Sequence, residues 1–98
     1  MKFEIAPKST EIESNWFDAK LYCFSLNIDG KTGWRLPTRA ELNEIYESDN
    51  DFVICTYYWT SAEFSGTGAW TQLFINGIQN FRTKDYDKNQ VRAVRDLA

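Results

Sequence analysis

The sequence predicts one α+β domain, with helices packed on a twisted, mainly antiparallel sheet. Three observations carry that prediction. Apolar residues recur at helical spacing twice before residue 48, once behind Asn15 and once behind Thr38. After Asp51 the composition shifts to aromatic and β-branched residues punctuated by glycines. Asn76-Gly77 then stands between Phe74-Ile75 and Ile78, a signal for a two-residue hairpin turn. With 98 residues and 43% hydrophobic content, residues 1–98 are enough for one core, and no linker, repeat or low-complexity tract divides them.

The elements follow in order. Lys2–Ile5 alternates polar and apolar residues and reads as a short strand. Ser14-Asn15 precedes WFDAKLYCFSLN, where Asp18 is placed for the first turn of a helix. Trp16, Ala19, Cys23 and Leu26 form its apolar stripe, and Phe17, Leu21 and Phe24 widen it, so this helix is expected to be largely buried. Asn27–Gly33 contains Asp29-Gly30 and is a turn-rich loop. Pro37 holds Leu36 extended, so the second helix starts after it. Thr38 and Glu41 form a capping box for that helix, about Arg39 to Glu47, with Leu42, Ile45 and Tyr46 facing inward. Thr38 and Glu41 therefore need no catalytic explanation. Strands are expected over Phe52–Thr60, Ala69–Ile75, Gln79–Thr83 and Val91–Leu97, with Lys84–Gln90 as a polar loop.

Composition excludes several function classes. There is no histidine, which removes the usual general base and the commonest zinc ligand. Cys23 and Cys55 are far apart and form no CxxC unit, so each reads as a small buried hydrophobe, with a Cys23–Cys55 bridge as the alternative. Net charge is −3, and residues 41–51 carry five acids without a base, which argues against nucleic-acid binding. No apolar run is long enough to span a bilayer, and MKFEIAPKSTEIES contains no apolar signal-peptide core, so a cytoplasmic location is expected. Asp85-x-Asp87-x-Asn89 imitates the start of a calcium loop, but Gln90 stands where glycine is needed. No metal and no cofactor are expected.

The ordered set Trp16-x-x-Ala19, Tyr22-Cys23, Leu26, GWRLPT-x-x-Glu41-Leu42, Tyr58-Trp59-Thr60-Ser61, Ala69-Trp70, Phe74-x-Asn76-Gly77, Lys84 and Val91-Arg92-Ala93-Val94-Arg95 resembles the C-terminal domain family of the Legionella collagen-like adhesin. The resemblance covers about residues 12–97. It implies a C-type-lectin-like superfold distantly related to formylglycine-generating enzymes, with two helices on a mixed, twisted sheet. It also places Trp34 in the domain centre, pairs Arg35 with a carboxylate, and makes Trp59, Trp70 and Arg95 structural. Many relatives pair a cysteine of the first helix with one in a VRCVR-like final run. Here Ala93 takes that place, which leaves Cys23 without its partner and fits a reducing compartment. No cysteine follows Cys55, so the reactive arrangement of the formylglycine branch is missing and no enzyme is expected.

Binding is the remaining class, and loops on a rigid scaffold are where it resides. The first candidate surface comprises Phe64, Ser65, Thr67, Asn80, Arg82, Lys84, Asp85, Tyr86, Asp87 and Asn89, with the Phe81 ring among them. Aromatic anchors within a polar rim suit protein recognition, and they equally suit stacking on sugars. The second candidate is the acidic face Glu44, Glu47, Asp49 and Asp51. The expected function is a non-enzymatic, calcium-independent, intracellular protein-binding module, of the kind a phage or mobile element encodes to inhibit a host protein. The alternative is a glycan-binding or adhesion module like secreted relatives.

Overall fold

A computed structural model describes residues 1–97. The element order is β1 (Phe3–Ile5), β2 (Ile12–Ser14), α1 (Trp16–Ser25), α2 (Arg39–Tyr46), β3 (Tyr57–Glu63), β4 (Gly68–Leu73), β5 (Gln79–Thr83), β6 (Asn89–Val91) and β7 (Val94–Asp96). Five strands form one sheet in the order β2-β6-β3-β4-β5, and β1 pairs with β7 apart from it. All pairs are antiparallel except β3–β6, where Tyr58 lies opposite Gln90. The α+β class is therefore as expected.

Both helices begin where the sequence places them. Asn15 caps α1, its Oδ1 accepting from the Asp18 amide at 2.8 Å. The Thr38 hydroxyl accepts from the Glu41 amide at 3.1 Å, and the Glu41 carboxylate accepts from the Thr38 amide at 2.8 Å. This reciprocal cap satisfies two amides that helix geometry leaves free. Arg35 braces it, donating to both Glu41 oxygens (2.7 and 2.8 Å) and to Asp96 at 2.6 Å. Those bonds raise the Arg35 pKa and hold the Glu41 carboxyl below its ordinary range. The Arg35 backbone also exchanges hydrogen bonds with Val94, so the segment before α2 runs beside β7.

The interior divides in two. Trp16, Ala19, Cys23, Trp34 and Trp59 centre one core, and Leu42, Ile45, Phe52, Tyr58 and Phe74 centre the other. Cys23 and Ala93 lie in the same core, and both cysteines are free; Cys23 is buried as expected, whereas Cys55, expected to be buried too, is exposed. Burial pushes the Cys23 thiol up to about 12.

Several expectations are corrected. The strand expected from Phe52 begins only at Tyr57, because Phe52 turns inward to stack on Phe74 at 4.8 Å. Phe74 leaves β4 for the same contact, so Asn76-Gly77 does not make a two-residue turn. Leu73 and Ile78 instead close a loop of four residues. Gly77 has φ +78°, and a Cβ there would lie 2.5 Å from the Tyr46 ring, so glycine is required. The expected strand Val91–Leu97 is two strands, β6 and β7, in different sheets. Strand β2 and a 3-10 turn at Lys8–Thr10 were not expected. Helix α1 buries only its Trp16–Ala19–Cys23 edge, while Phe17, Leu21 and Phe24 are 49%, 67% and 83% exposed.

At the break between β6 and β7 stands Arg92, a buried cation. It donates to the Ala6 carbonyl (2.6 Å), Glu11 (2.9 Å) and Asp51 (2.8 Å), and it lies over the Phe52 ring. Removing one member of a buried ion pair leaves the others uncompensated. Arg92→Ala is therefore expected to cost about 3–5 kcal/mol in urea unfolding, with Arg92→Lys losing less. A loss below about 1 kcal/mol for Arg92→Ala would show that the network is not structural. Thiol chemistry checks the cysteines. Native protein should react rapidly at Cys55 alone, with Cys23 labelled only after denaturation and with a melting temperature indifferent to reductant.

Candidate functional site

A hairpin built of β4 and β5 carries a cluster of rings outside both cores. Its register sets Trp70 opposite Phe81 on one face. The connection from β3 folds back tightly, since the Gly68 carbonyl accepts from the Phe64 amide at 2.8 Å and the Ser65 amide at 3.1 Å. That turn lays Phe64 on Phe81, with ring centroids 4.1 Å apart and planes within 4°. Trp70 meets both rings edge-on, at 5.5 and 6.1 Å. Phe64 and Phe81 remain about half exposed, at 51% and 48%.

Arg39, the first residue of α2, completes the cluster. Its guanidinium lies 3.8 Å from the Trp70 ring centroid. Its Nε donates to Gln79 Oε1 at 2.8 Å, and Gln79 Nε2 donates back to the Arg39 carbonyl at 3.0 Å. Behind them, Gln72 is fully buried and donates to Asn43 at 2.9 Å and to the Gly77 carbonyl at 3.0 Å. An open groove lined by Arg39, Ala40, Asn43, Gly77 and Gln79 runs beside this chain of amides. The indole N–H groups of Trp16, Trp34 and Trp59 each donate to a backbone carbonyl. Among the described residues, that of Trp70 has no such acceptor.

The sequence-predicted residues fall into separate groups. Phe64 is in the cluster. Ser65 and Thr67 shape its turn, with Ser65 Oγ accepting from the Gly68 amide at 3.1 Å. Asn80 is exposed on β5, its side chain accepting from the Phe81 amide at 3.0 Å. Arg82 lies on the opposite side of the strand, over Tyr57 at 4.1 Å. Asp85 is exposed, and Tyr86, 84% exposed, sits at the tip of the β5–β6 turn without a ring partner. Asp87 closes that turn, accepting from the Thr83 amide at 2.8 Å.

Two residues are withdrawn from the surface. Lys84 is buried, paired with Glu63 and lying 4.6 Å from the Trp16 ring, and it holds the Glu63 carboxyl below its ordinary range. Asn89 is a buried β6 residue. The acidic face shrinks as well. Glu44, Glu47 and Asp49 are exposed, but Asp51 is bonded to Arg92, which lowers its pKa.

Trp70, Arg39 and Gln79 were missed. Trp70 reads as core by residue type, and Arg39 as an ordinary helix-start residue. The alternation of β4 across the hairpin, which faces Trp70 to Phe81, was the available signal.

A second apolar surface lies on α1. Leu21 and Phe24 wall a groove of about 350 Å³ whose other sides are Lys20, Trp34, Arg35, Leu36 and Ser61. No described helix is long and apolar enough to cross a membrane.

A rigid α+β scaffold with rings displayed outside its cores has the architecture of a binding or adhesion-type module. The chain belongs to the Lcl C-terminal domain family, whose model matches residues 4–95. That match reaches back into β1, further than the sequence motifs themselves extend. A comparison with curated proteins gives no match.

If the ring cluster is surface and not core, its truncation should be cheap. Phe64→Ala and Phe81→Ala are each expected to cost about 0.5–1.5 kcal/mol through the lost stack. Leu42→Ala, in the core, should cost about 2–5 kcal/mol. Urea unfolding distinguishes them, and equal costs would place the rings in a third core.

Proposed function

We propose that this domain is a non-enzymatic protein-binding module whose contact surface is the Phe64–Phe81 ledge, with the β5–β6 turn at Asp85–Asp87 beside it. One observation carries the choice of surface, a phenyl pair held half exposed beside a fixed guanidinium. Here one face of each phenyl is covered by the other, and a face of the Trp70 indole is covered by Arg39. What remains is an apolar ridge with a polar border, which suits the side chains of a protein partner.

Electrostatics supports the non-enzymatic reading. The carboxyls of Glu4, Glu41, Asp51, Glu63 and Asp96 are all held below their ordinary range by hydrogen-bonded cations. A general acid at neutral pH needs the opposite shift. The narrower form of the proposal, blockade of a host protein in the cytoplasm, rests on the sequence reading alone.

Affinity capture from native cell extract tests the surface, using wild type, Phe64→Ala/Phe81→Ala and Glu44→Lys/Glu47→Lys proteins in parallel. A protein held by wild type and by the charge-reversed variant, but lost by the double alanine variant, is the expected result. Loss only on charge reversal would move the interface to α2. Binding of wild type to isolated sugars on a glycan array, abolished by the alanine pair, would establish the adhesive alternative instead.

A further inference from the structure

We infer that Arg39 is a preorganised carboxylate receptor, and that the partner segment bound at the ledge presents an Asp or Glu side chain next to its apolar anchor. This inference rests on the protein-binding reading above and names the chemistry of the partner.

The first ground is how the arginines of this chain are used. Arg35 is bonded to Glu41 and Asp96, Arg92 to Glu11 and Asp51, and Arg95 to Glu4. Arg39 and Arg82 have no carboxylate partner among the described residues, although the chain carries 14 acids against 11 bases, and Arg82 lies over Tyr57 on the side of β5 away from the ledge. The helix of Arg39 offers none at the adjacent positions, since Leu42 and Asn43 stand three and four residues on. Asn43 is instead engaged with Gln72 and Glu47.

The second ground is rigidity. A free arginine loses considerable rotamer entropy on forming a salt bridge. Here the guanidinium lies on Trp70, and its Nε is tied to Gln79. Gln79 is held in turn by Gln72, whose Oε1 accepts from Gln79 Nε2 at 3.2 Å. Of the side-chain nitrogens only Nε has an acceptor among the described residues, which leaves both terminal nitrogens with their donors unused there. Two parallel N–H donors on one planar group are the geometry that carboxylates accept bidentately.

The third ground is position. Trp70 touches Arg39 on one side and the Phe64 and Phe81 rings edge-on. Cation and apolar ledge are therefore joined through one indole and can be reached by neighbouring side chains of one segment. A lysine in place of Arg39 would supply charge without the planar fork.

The probe is a random twelve-residue peptide library displayed on phage and panned on the full chain. The enriched peptides are expected to carry Asp or Glu within a few positions of an aromatic or large aliphatic residue. Replacing that acid by its amide in a synthetic peptide should weaken binding to wild type about tenfold, the scale of one charge-assisted pair. The same replacement should change nothing on Arg39→Gln protein, whose fold is checked by its melting temperature. Enriched peptides without an acid, or an amide penalty that persists on Arg39→Gln, would overturn the inference while leaving the ledge as a protein site. Enrichment unaffected by Phe64→Ala/Phe81→Ala would overturn the ledge itself. If no peptide is enriched and anionic sugars bind instead through Arg39, the partner class proposed here is wrong.

Discussion

The arrangement depends most on one buried cation, Arg92, at the point where the chain passes from one sheet to the other. Val91 pairs with β2, and Val94 pairs with β1. The two residues between them must leave one ladder and enter another, which frees backbone groups that need partners. The Ala93 carbonyl finds the Ala6 amide, and the Ala6 carbonyl accepts from Arg92 Nε. Glu11 takes a second bond from Arg92 and one from the Tyr58 hydroxyl, which itself accepts from the Val53 amide. Three separated segments thus converge on one side chain, and Tyr58 joins them through Glu11. Desolvating such a group has a cost that its ion pairs recover only in good geometry, so its clearest effect is to select this arrangement over others.

The switch at Arg92 divides the interior, and the division explains the surface. Trp59 and Tyr58 are adjacent on β3 and point to opposite cores, as strand alternation requires. Rings fill much of both interiors, and the aromatic content of 16% exceeds what these two small cores enclose. The rest appears on the outer side of α1, on the β4–β5 hairpin and, as Tyr86 alone, at the tip of the β5–β6 turn. On α1 the rings have little company. On the hairpin they are ordered against each other, against Trp70 and against Arg39, which marks that face as the built one.

Legibility in the sequence follows the range of the forces involved. Local rules succeed at Thr38 and Glu41, where cap and helix lie within four residues, and at Leu42 and Ile45, whose spacing fixes their side. The resemblance places Trp34 and Arg35 correctly, because a whole ordered motif stands behind it. Local rules fail where tertiary contact decides. Phe17, Leu21 and Phe24 make α1 look buried all round, but the fold brings a sheet to only one edge of it. Phe52 and Phe74 have strand propensity and are taken out of strands by each other. Lys84 reads as a loop cation, and nothing near it in sequence announces Glu63 or the Trp16 ring.

The candidate surface was legible in part for the same reason. Phe64 and Phe81 could be placed on a loop face from their surroundings, but their contact depends on how tightly β3 turns into β4. Arg39 could not be found, because its role arises from Trp70 and Gln79, 31 and 40 positions away. Such a group matters out of proportion to its size in a domain of 98 residues, which has room for only a modest interface. Binding strength there depends less on contact area than on how little order must be imposed when the partner arrives. A phenyl pair already stacked and a guanidinium already fixed lose little freedom on contact. The sequestration of Arg35, Arg92 and Arg95 in internal pairs sharpens the effect, since with Arg82 on the other side of β5 it leaves Arg39 as the arginine that the ledge can offer to a partner's carboxylate.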